Sequence, residues 1–138
     1  MNGILYLCVA NSARSQMAEG IARSIAPTGV KVWSAGSRPT SVRPEAIAVL
    51  REIGIDISVH RSKSVAEIPA PEVDTVVTLC GEEECPVFLG NANRLHWGLP
   101  DPAADVGSDA ERLSAFRRTR DELRKRIAAL FREDEGSR

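Results

Sequence analysis

Hydrophobic residues fall into short blocks along the chain, and these blocks predict four strands. The first, Ile4–Leu7, is continuously apolar, as is typical of a strand buried on both faces of a parallel sheet. Val30–Ala35 and Val73–Leu79 are predicted as the second and third strands, the third being rich in β-branched residues. A short fourth strand is predicted at Arg94–Trp97.

Between the strands, apolar residues recur at the spacing of amphipathic helices. The first helix is predicted over Arg14–Ala26. A second opens at Pro44, a favoured first helical position, and is ended by Gly54. A long C-terminal helix is predicted after Ser108, because Ser108 and Glu111 form the pattern of a capping box ahead of an apolar stripe.

Strands and helices alternate throughout, which predicts an α/β fold, a three-layer sandwich with a four-stranded parallel sheet. The length of 138 residues suits one domain, 1–138, and its last residues, Glu133–Arg138, are expected to fray. Ligands of such sheets bind beyond the carboxyl ends of the strands. The residues predicted at that edge are Cys8, the turn Ser34-Ala35-Gly36, Cys80 and the segment after Trp97.

Composition narrows the classes of function. Hydrophobic residues make up 43% of the chain and charged residues 27%, which is typical of a globular protein. The net charge of −1 gives no support to nucleic-acid binding, so an anion site must be local. No segment has the length of a membrane span, and Met1–Val9 lacks the features of a signal peptide. We therefore expect a cytoplasmic protein, in which three cysteines favour chemistry over a disulfide framework.

A cysteine ends the first strand and an arginine opens the first helix, with small residues between them. Such a loop directs unpaired N–H groups and the positive end of the helix dipole toward an oxyanion. The same field favours the reactive thiolate of Cys8, and the planar fork of Arg14 can bind two oxygens. Ser15 can donate to the sulfur, and Asn11 tolerates left-handed backbone. The predicted substrate-binding residues are Val9, Ala10, Asn11, Ser12, Ala13, Arg14 and Ser15.

This loop, with Gln16-Met17-Ala18-Glu19 after it, resembles the thioredoxin-coupled arsenate reductases, which share a fold with the low-molecular-weight protein tyrosine phosphatases. The resemblance covers nearly the whole chain, and several matching motifs in order are more specific than the loop alone. The other matching stretches are Ser34-Ala35-Gly36, Gly54-Ile55-Asp56-Ile57-Ser58, Val76-Val77-Thr78-Leu79-Cys80, and His96-Trp97-Gly98 leading to Asp101-Pro102.

The resemblance implies a three-cysteine relay. Cys8 attacks arsenate, Cys80 attacks Cys8 and releases arsenite, and Cys85 resolves the resulting disulfide. Thioredoxin then reduces the pair Cys80–Cys85. Arg14 holds the substrate, phosphate or sulfate act as its analogues, and Asp101 protonates the departing oxygen. The implied enzyme is a monomer with no metal and no tightly bound cofactor.

Other functions stay open on the sequence. A phosphatase of the same fold would use Cys8, Arg14 and Asp101 alone, although Ala103 and Ala104 stand where tyrosine phosphatases typically carry aromatic residues. A non-enzymatic oxyanion or metal binder is the other alternative. From pattern alone, Cys8 is also compatible with a buried structural cysteine and Asp101 with a turn aspartate. The possible zinc ligands are Cys80, Cys85, His60 and His96, but they lack the spacing of zinc motifs, and we interpret the two histidines as structural.

The chain departs from the family pattern at three places. Ala10 replaces a usual glycine, and the spacing between Cys80 and Cys85 is shorter by about two residues. Some relatives bind potassium near the anion loop. Asn11, Glu19 and Ser34 match that site, whereas Lys63 stands where those relatives have an acid, so its ammonium is predicted to replace the ion.

Overall fold

The computed structural model describes residues 1–81, 88, 90–104 and 107–136. Within these residues, two strand–helix units come first, followed by two short 3-10 helices, two strands and a long helix. The strands are β1 (Gly3–Cys8), β2 (Lys31–Gly36), β3 (Thr75–Thr78) and β4 (Asn93–His96). The α-helices are α1 (Arg14–Ile25), α2 (Pro44–Arg51) and α3 (Asp109–Gly136), and the 3-10 helices are Val65–Glu67 and Ala70–Glu72.

The strands form one parallel sheet in the order β2-β1-β3-β4, which confirms the predicted architecture. The register aligns Cys8 with Gly36, and it aligns Leu7 with Thr78. The carboxyl ends of neighbouring strands therefore meet at one edge. The third strand is shorter than predicted because Val73 closes a 3-10 helix, its N–H donating to the carbonyl of Ala70 at 3.2 Å.

Two apolar clusters sandwich the sheet, and β1 is buried along its whole length. The larger cluster joins one face of the sheet to all three α-helices, for example through Tyr6, Met17 and Phe116. The smaller one covers the opposite face with Ile68 and Phe88 among others. In the described part of the chain, the third layer therefore consists of short helical turns and loops, while the three α-helices lie on the other side of the sheet.

Helix α3 starts at the predicted capping box and ends later than predicted. The N–H of Glu111 donates to Ser108 Oγ at 3.1 Å, and the N–H of Ser108 donates to a Glu111 carboxylate oxygen at 3.4 Å. The expectation that the chain frays from residue 133 is wrong, because the helix continues to Gly136. Phe131 is buried, and the terminal ammonium of Met1 pairs with Asp134 at 3.1 Å, which anchors the last turns. None of the described helices is both long and apolar enough to cross a bilayer.

Two isoleucines provide a matched test of the helical layer. Ile127 on α3 is fully buried, whereas Ile25 at the end of α1 is 46% exposed. We expect Ile127→Ala to lower the free energy of unfolding by about 2–5 kcal/mol through lost burial and a residual cavity. Ile25→Ala should cost less than about 1 kcal/mol. Urea unfolding followed by circular dichroism measures both, and similar losses in the two variants would contradict this packing.

Candidate active site

The loop between β1 and α1 is held from outside by its own carbonyl groups. Four consecutive carbonyls accept hydrogen bonds from the segments that run beside the loop. The pairs are Arg38 N–H to Val9 O at 2.9 Å, Thr40 N–H to Ala10 O at 3.1 Å, Ser62 Oγ to Asn11 O at 2.6 Å and Arg43 N–H to Ser12 O at 2.8 Å. Since these acceptors are committed outward, the concave side of the loop is left to N–H groups, the arrangement that binds oxyanions.

Asn11 fixes the turn of the loop. Its φ of 50° is left-handed, as the sequence analysis anticipated, and its side chain is fully buried. The amide oxygen accepts from Gln16 Nε2 at 2.9 Å and from the backbone N–H of Lys63 at 2.8 Å. The amide nitrogen donates to Ser15 Oγ at 2.7 Å and to Ser34 Oγ at 3.0 Å. Both donors and both acceptor positions of the Asn11 amide are therefore used, which holds the turn in one conformation.

The sulfur of Cys8 lies 2.8 Å from Ser15 Oγ, and Cys8 is a buried free thiol. Asn11 already donates to that hydroxyl oxygen, so the hydroxyl proton is available to the sulfur. A donated hydrogen bond stabilises a thiolate more than a thiol. The contact between Ser15 and the sulfur that the sequence suggested is therefore present in the structure.

Arg14 connects the loop to two other segments. Its guanidinium is buried, and Nη1 donates to the carbonyls of Leu79 at 3.3 Å and Leu99 at 2.9 Å. Leu79 directly precedes Cys80, and Leu99 lies two residues before Asp101. The arginine therefore fixes both segments relative to the anion loop.

A cavity of about 270 Å³ opens over the loop. Its lining contains the nucleophile, the arginine and the predicted acid, as Cys8, Val9, Ala10, Ser12, Ala13, Arg14 and Asp101. The carboxylate of Asp101 accepts from the N–H of Ala103 at 2.9 Å, so it belongs to a turn and to the cavity wall at once. A larger groove of about 640 Å³ between α1 and α3 is lined by isoleucines and by charged residues of α3, and neither of the described cysteines, Cys8 and Cys80, is among its lining residues.

Of the two other cysteines, the structure describes Cys80 but not Cys85. Cys80 is fully buried at the sheet edge, directly after Leu79, whose N–H pairs with the carbonyl of Leu7 at 2.9 Å. It is engaged in a disulfide, whereas Cys8 is a free thiol. Cys85 lies outside the described residues. The structure therefore brings Cys8, Arg14, Asp101 and the backbone of Cys80 to one edge.

A buried carboxylate stands behind the loop. Glu19 is 2% exposed and accepts from Ser34 Oγ at 2.6 Å, which extends the hydrogen-bonded chain that leads through Asn11 and Ser15 to Cys8. Its cationic neighbours are Lys63 Nζ at 3.3 Å and Arg23 Nη2 at 3.4 Å. The family pattern already connected Glu19 with Asn11, Ser34 and Lys63. The contact between His60 and Glu19 was not predicted, because nothing in the local sequence pattern connects these two residues.

His60 packs against this carboxylate without a formal ion pair. Its Nδ1 lies 3.5 Å from Glu19 and 3.0 Å from the amide oxygen of Gln16. Burial is the main influence on the imidazole and lowers the pKa of His60, outweighing the attraction of Glu19. The ring is therefore neutral at pH 7, and Lys63 and Arg23 provide the positive charge beside Glu19.

Ser15 offers a direct test of the nucleophile's environment. We expect Ser15→Ala to slow iodoacetamide alkylation of Cys8 by about tenfold or more, since a hydrogen bond to a charged group contributes roughly 1.5–3 kcal/mol. Ser24→Ala on the same helix removes a bond to a backbone carbonyl remote from the cavity and should leave the rate unchanged. Mass spectrometry of quenched samples gives both rates, and equal rates would exclude the proposed donor.

Comparison with known proteins places these features in a family. The chain is 44% identical over 126 residues to an arsenate reductase of Halalkalibacterium halodurans, with 90% of this chain and 91% of that protein covered. It is 40% identical over 126 residues to an arsenate reductase of Bacillus subtilis, with 90% and 91% covered.

Solved structures agree with the sequence relatives. An arsenate reductase in its oxidised state superposes with a TM-score of 0.80 at 32% identity, over 96% of this chain and 98% of that one. A thioredoxin-dependent arsenate reductase of Corynebacterium glutamicum gives a TM-score of 0.75 at 25% identity, over 100% of this chain and 64% of that one. The family model of the low molecular weight phosphotyrosine protein phosphatases matches residues 3–135. With the anion loop, the parallel sheet and almost the full length in agreement, the chain belongs to the low molecular weight phosphotyrosine protein phosphatase family.

Proposed function

We propose that this protein reduces arsenate to arsenite, with thioredoxin as the external reductant, and so serves arsenic detoxification. The observation that carries the proposal is a buried free thiol in the wall of the loop cavity, together with an arginine that is hydrogen-bonded to the residue before a second cysteine. The relatives named arsenate reductases support the choice of substrate. The thioredoxin-dependent relative supports the choice of reductant.

The chemistry begins at the loop. The Cys8 thiolate attacks arsenic, and an oxygen leaves with a proton supplied by Asp101, so a covalent sulfur–arsenic bond replaces an arsenic–oxygen bond. The loop N–H groups and Arg14 balance the negative charge of the other oxygens. The contact with Ser15 Oγ at 2.8 Å orients the attacking sulfur.

Reduction requires the second and third thiols. The Cys80 thiolate attacks the sulfur of Cys8, and the electron pair of the sulfur–arsenic bond stays on arsenic, which leaves as arsenite. Cys85 then attacks the sulfur of Cys80 and returns Cys8 as a thiolate. The dithiol of thioredoxin reduces the disulfide between Cys80 and Cys85, so two electrons pass from thioredoxin to each arsenate.

Hydrolysis of phosphate esters is the second candidate, because the family includes phosphatases and this reaction needs only the anion loop and Asp101. One feature favours reduction. Ala103 and Ala104 follow shortly after Asp101, where tyrosine phosphatases of this fold carry aromatic side chains that stack on phosphotyrosine.

Coupled turnover tests the relay. Wild type, prereduced and supplied with thioredoxin, thioredoxin reductase and NADPH, should consume NADPH over many turnovers when arsenate is added. Cys85→Ser should stop after at most one turnover, because the first disulfide cannot be resolved. Cys8→Ser should give none. Absorbance at the NADPH band follows the reaction, and arsenite is quantified separately.

Each alternative has its own signature. If wild type turns over aryl phosphate rapidly and Cys80→Ser and Cys85→Ser leave that rate intact, without arsenate-dependent NADPH consumption, the phosphatase function replaces the proposal. Tight arsenate binding without turnover of either substrate would indicate an oxyanion-binding protein.

The position of Lys63 predicts that the rate of arsenate reduction does not depend on potassium. Its ammonium lies 3.3 Å from Glu19 and provides a positive charge beside the buried carboxylate. Replacing sodium by potassium at constant ionic strength should change the arsenate reduction rate by less than about twofold. The matched variant Lys63→Gln removes this charge and should be slower and responsive to potassium. If the wild-type rate rises severalfold when potassium replaces sodium, the ammonium of Lys63 does not take the place of the ion.

A further inference from the structure

His96 ends the edge strand β4 and is held by the neighbouring strand. The register aligns it with Thr78 on β3, and His96 Nδ1 lies 2.7 Å from Thr78 Oγ1. The imidazole is exposed, so it is not a core side chain. The sequence alone suggested a structural histidine, but its position beside a redox cysteine suggests more.

Thr78 also fixes the protonation pattern of the ring. Its hydroxyl donates to the carbonyl of Leu95 at 3.4 Å, and it has only one proton to give. Both contacts are satisfied only when His96 Nδ1–H donates to Thr78 Oγ1. The neutral imidazole then carries its lone pair on Nε2, which makes Nε2 a proton acceptor.

Nε2 lies over Gly98, next to the backbone of Cys80. A Cβ placed on Gly98 would stand 3.0 Å from His96 Nε2 and 3.4 Å from the carbonyl oxygen of Cys80. The absence of a side chain at Gly98 therefore leaves room for the ring beside the redox cysteine. Backbone pairing continues past the strands, with Trp97 N–H to Thr78 O at 2.8 Å and Leu99 N–H to Leu79 O at 3.2 Å, so this placement is rigid.

We propose that His96 is the acid–base group for the thiol of Cys80, an inference that rests on the proposed function. Before Cys80 can attack, its S–H bond must break, and Nε2 accepts that proton. The sulfur–sulfur bond to Cys8 then forms as the sulfur–arsenic bond breaks, with its electron pair going to arsenic. When thioredoxin later reduces the disulfide, the proton on Nε2 returns to the Cys80 thiolate.

Among the described residues, the charged side chains nearest to His96 in sequence have other partners, while Glu82, Glu83 and Glu84 after Cys80 lie outside the described residues. Arg94, two residues earlier on β4, donates to the carbonyls of Phe88 at 2.6 Å and Gly90 at 2.8 Å. Asp101, in the loop after β4, accepts from Ala103 and lines the anion cavity. Across the sheet, the imidazole meets the neutral hydroxyl of Thr78. Within the part of the chain that the structure describes, the imidazole is therefore the group to which we assign proton exchange beside Cys80.

Chemical rescue tests the assignment. Prereduced protein without thioredoxin is mixed with one equivalent of arsenate, and arsenite release, which requires attack by Cys80, is followed by rapid quench. His96→Ala should release arsenite at least about tenfold more slowly than wild type, and free imidazole in the buffer should restore much of the rate, since the imidazole that is removed is exposed and leaves an opening to solvent. Thr78→Val should give a smaller loss. Asn93→Ala on the same strand is the matched control and should behave as wild type.

Two further readouts separate the possible failures. Alkylation of Cys8 by iodoacetamide, and its protection by inorganic phosphate, should be unchanged in His96→Ala if the anion site is intact. Arsenite release within twofold of wild type would overturn the role of His96, and so would a loss that imidazole does not restore. If wild type itself releases no arsenite, the proposed function fails first, and the role of His96 falls with it.

Discussion

The hydrogen bonds of Asn11 are the constraint on which the rest of the site depends. A non-glycine residue in left-handed backbone costs roughly 1–2 kcal/mol, and an isolated loop would relax away from it. Here four hydrogen bonds, each contributing about 1 kcal/mol, hold the side chain in a fully buried position. The turn of the loop and the donor to Cys8 are therefore set by the same residue, since Asn11 also directs the hydroxyl proton of Ser15 toward the sulfur.

The parallel sheet determines which groups meet this loop. Because β1 lies between β2 and β3, the segments that follow its two neighbours reach the loop from opposite sides. Gly36 at the end of β2 approaches so closely that a Cβ would stand 2.4 Å from the carbonyl of Val9. On the other side, Arg14 draws the carbonyls of Leu79 and Leu99 to the helix terminus. The three residues to which the proposed relay assigns these roles, Cys8, Cys80 and Asp101, are thus positioned largely by backbone contacts, which tolerate changes in surrounding side chains.

How far the sequence predicts this molecule depends on how local each feature is. The strand–loop–helix around Cys8 and Arg14 is contiguous, so its apolar run, small residues and helical period were sufficient to identify it. The third strand was predicted too long because Val73 is apolar and β-branched, yet its N–H is used by a 3-10 helix. The end of α3 was predicted too short because its polar tail conceals the pairing of Asp134 with Met1, at the opposite end of the chain. Contacts such as Lys63 N–H to Asn11 join residues 52 positions apart, and no local pattern reveals them.

One anion loop can serve hydrolysis or reduction, and the difference lies in what surrounds it. In either case a thiolate attacks a tetrahedral oxyanion, and the N–H groups and the arginine bind the oxygens of that anion. A phosphatase then needs water at the adduct, whereas a reductase needs a thiol that reaches the first sulfur along the line of the departing bond. The tie from Arg14 to the carbonyl of Leu79 places the backbone of the second cysteine at that edge in the same framework that binds the anion. In the proposed relay, substrate binding and access to the second thiol therefore both depend on one buried guanidinium, and they cannot be altered independently by changing Arg14.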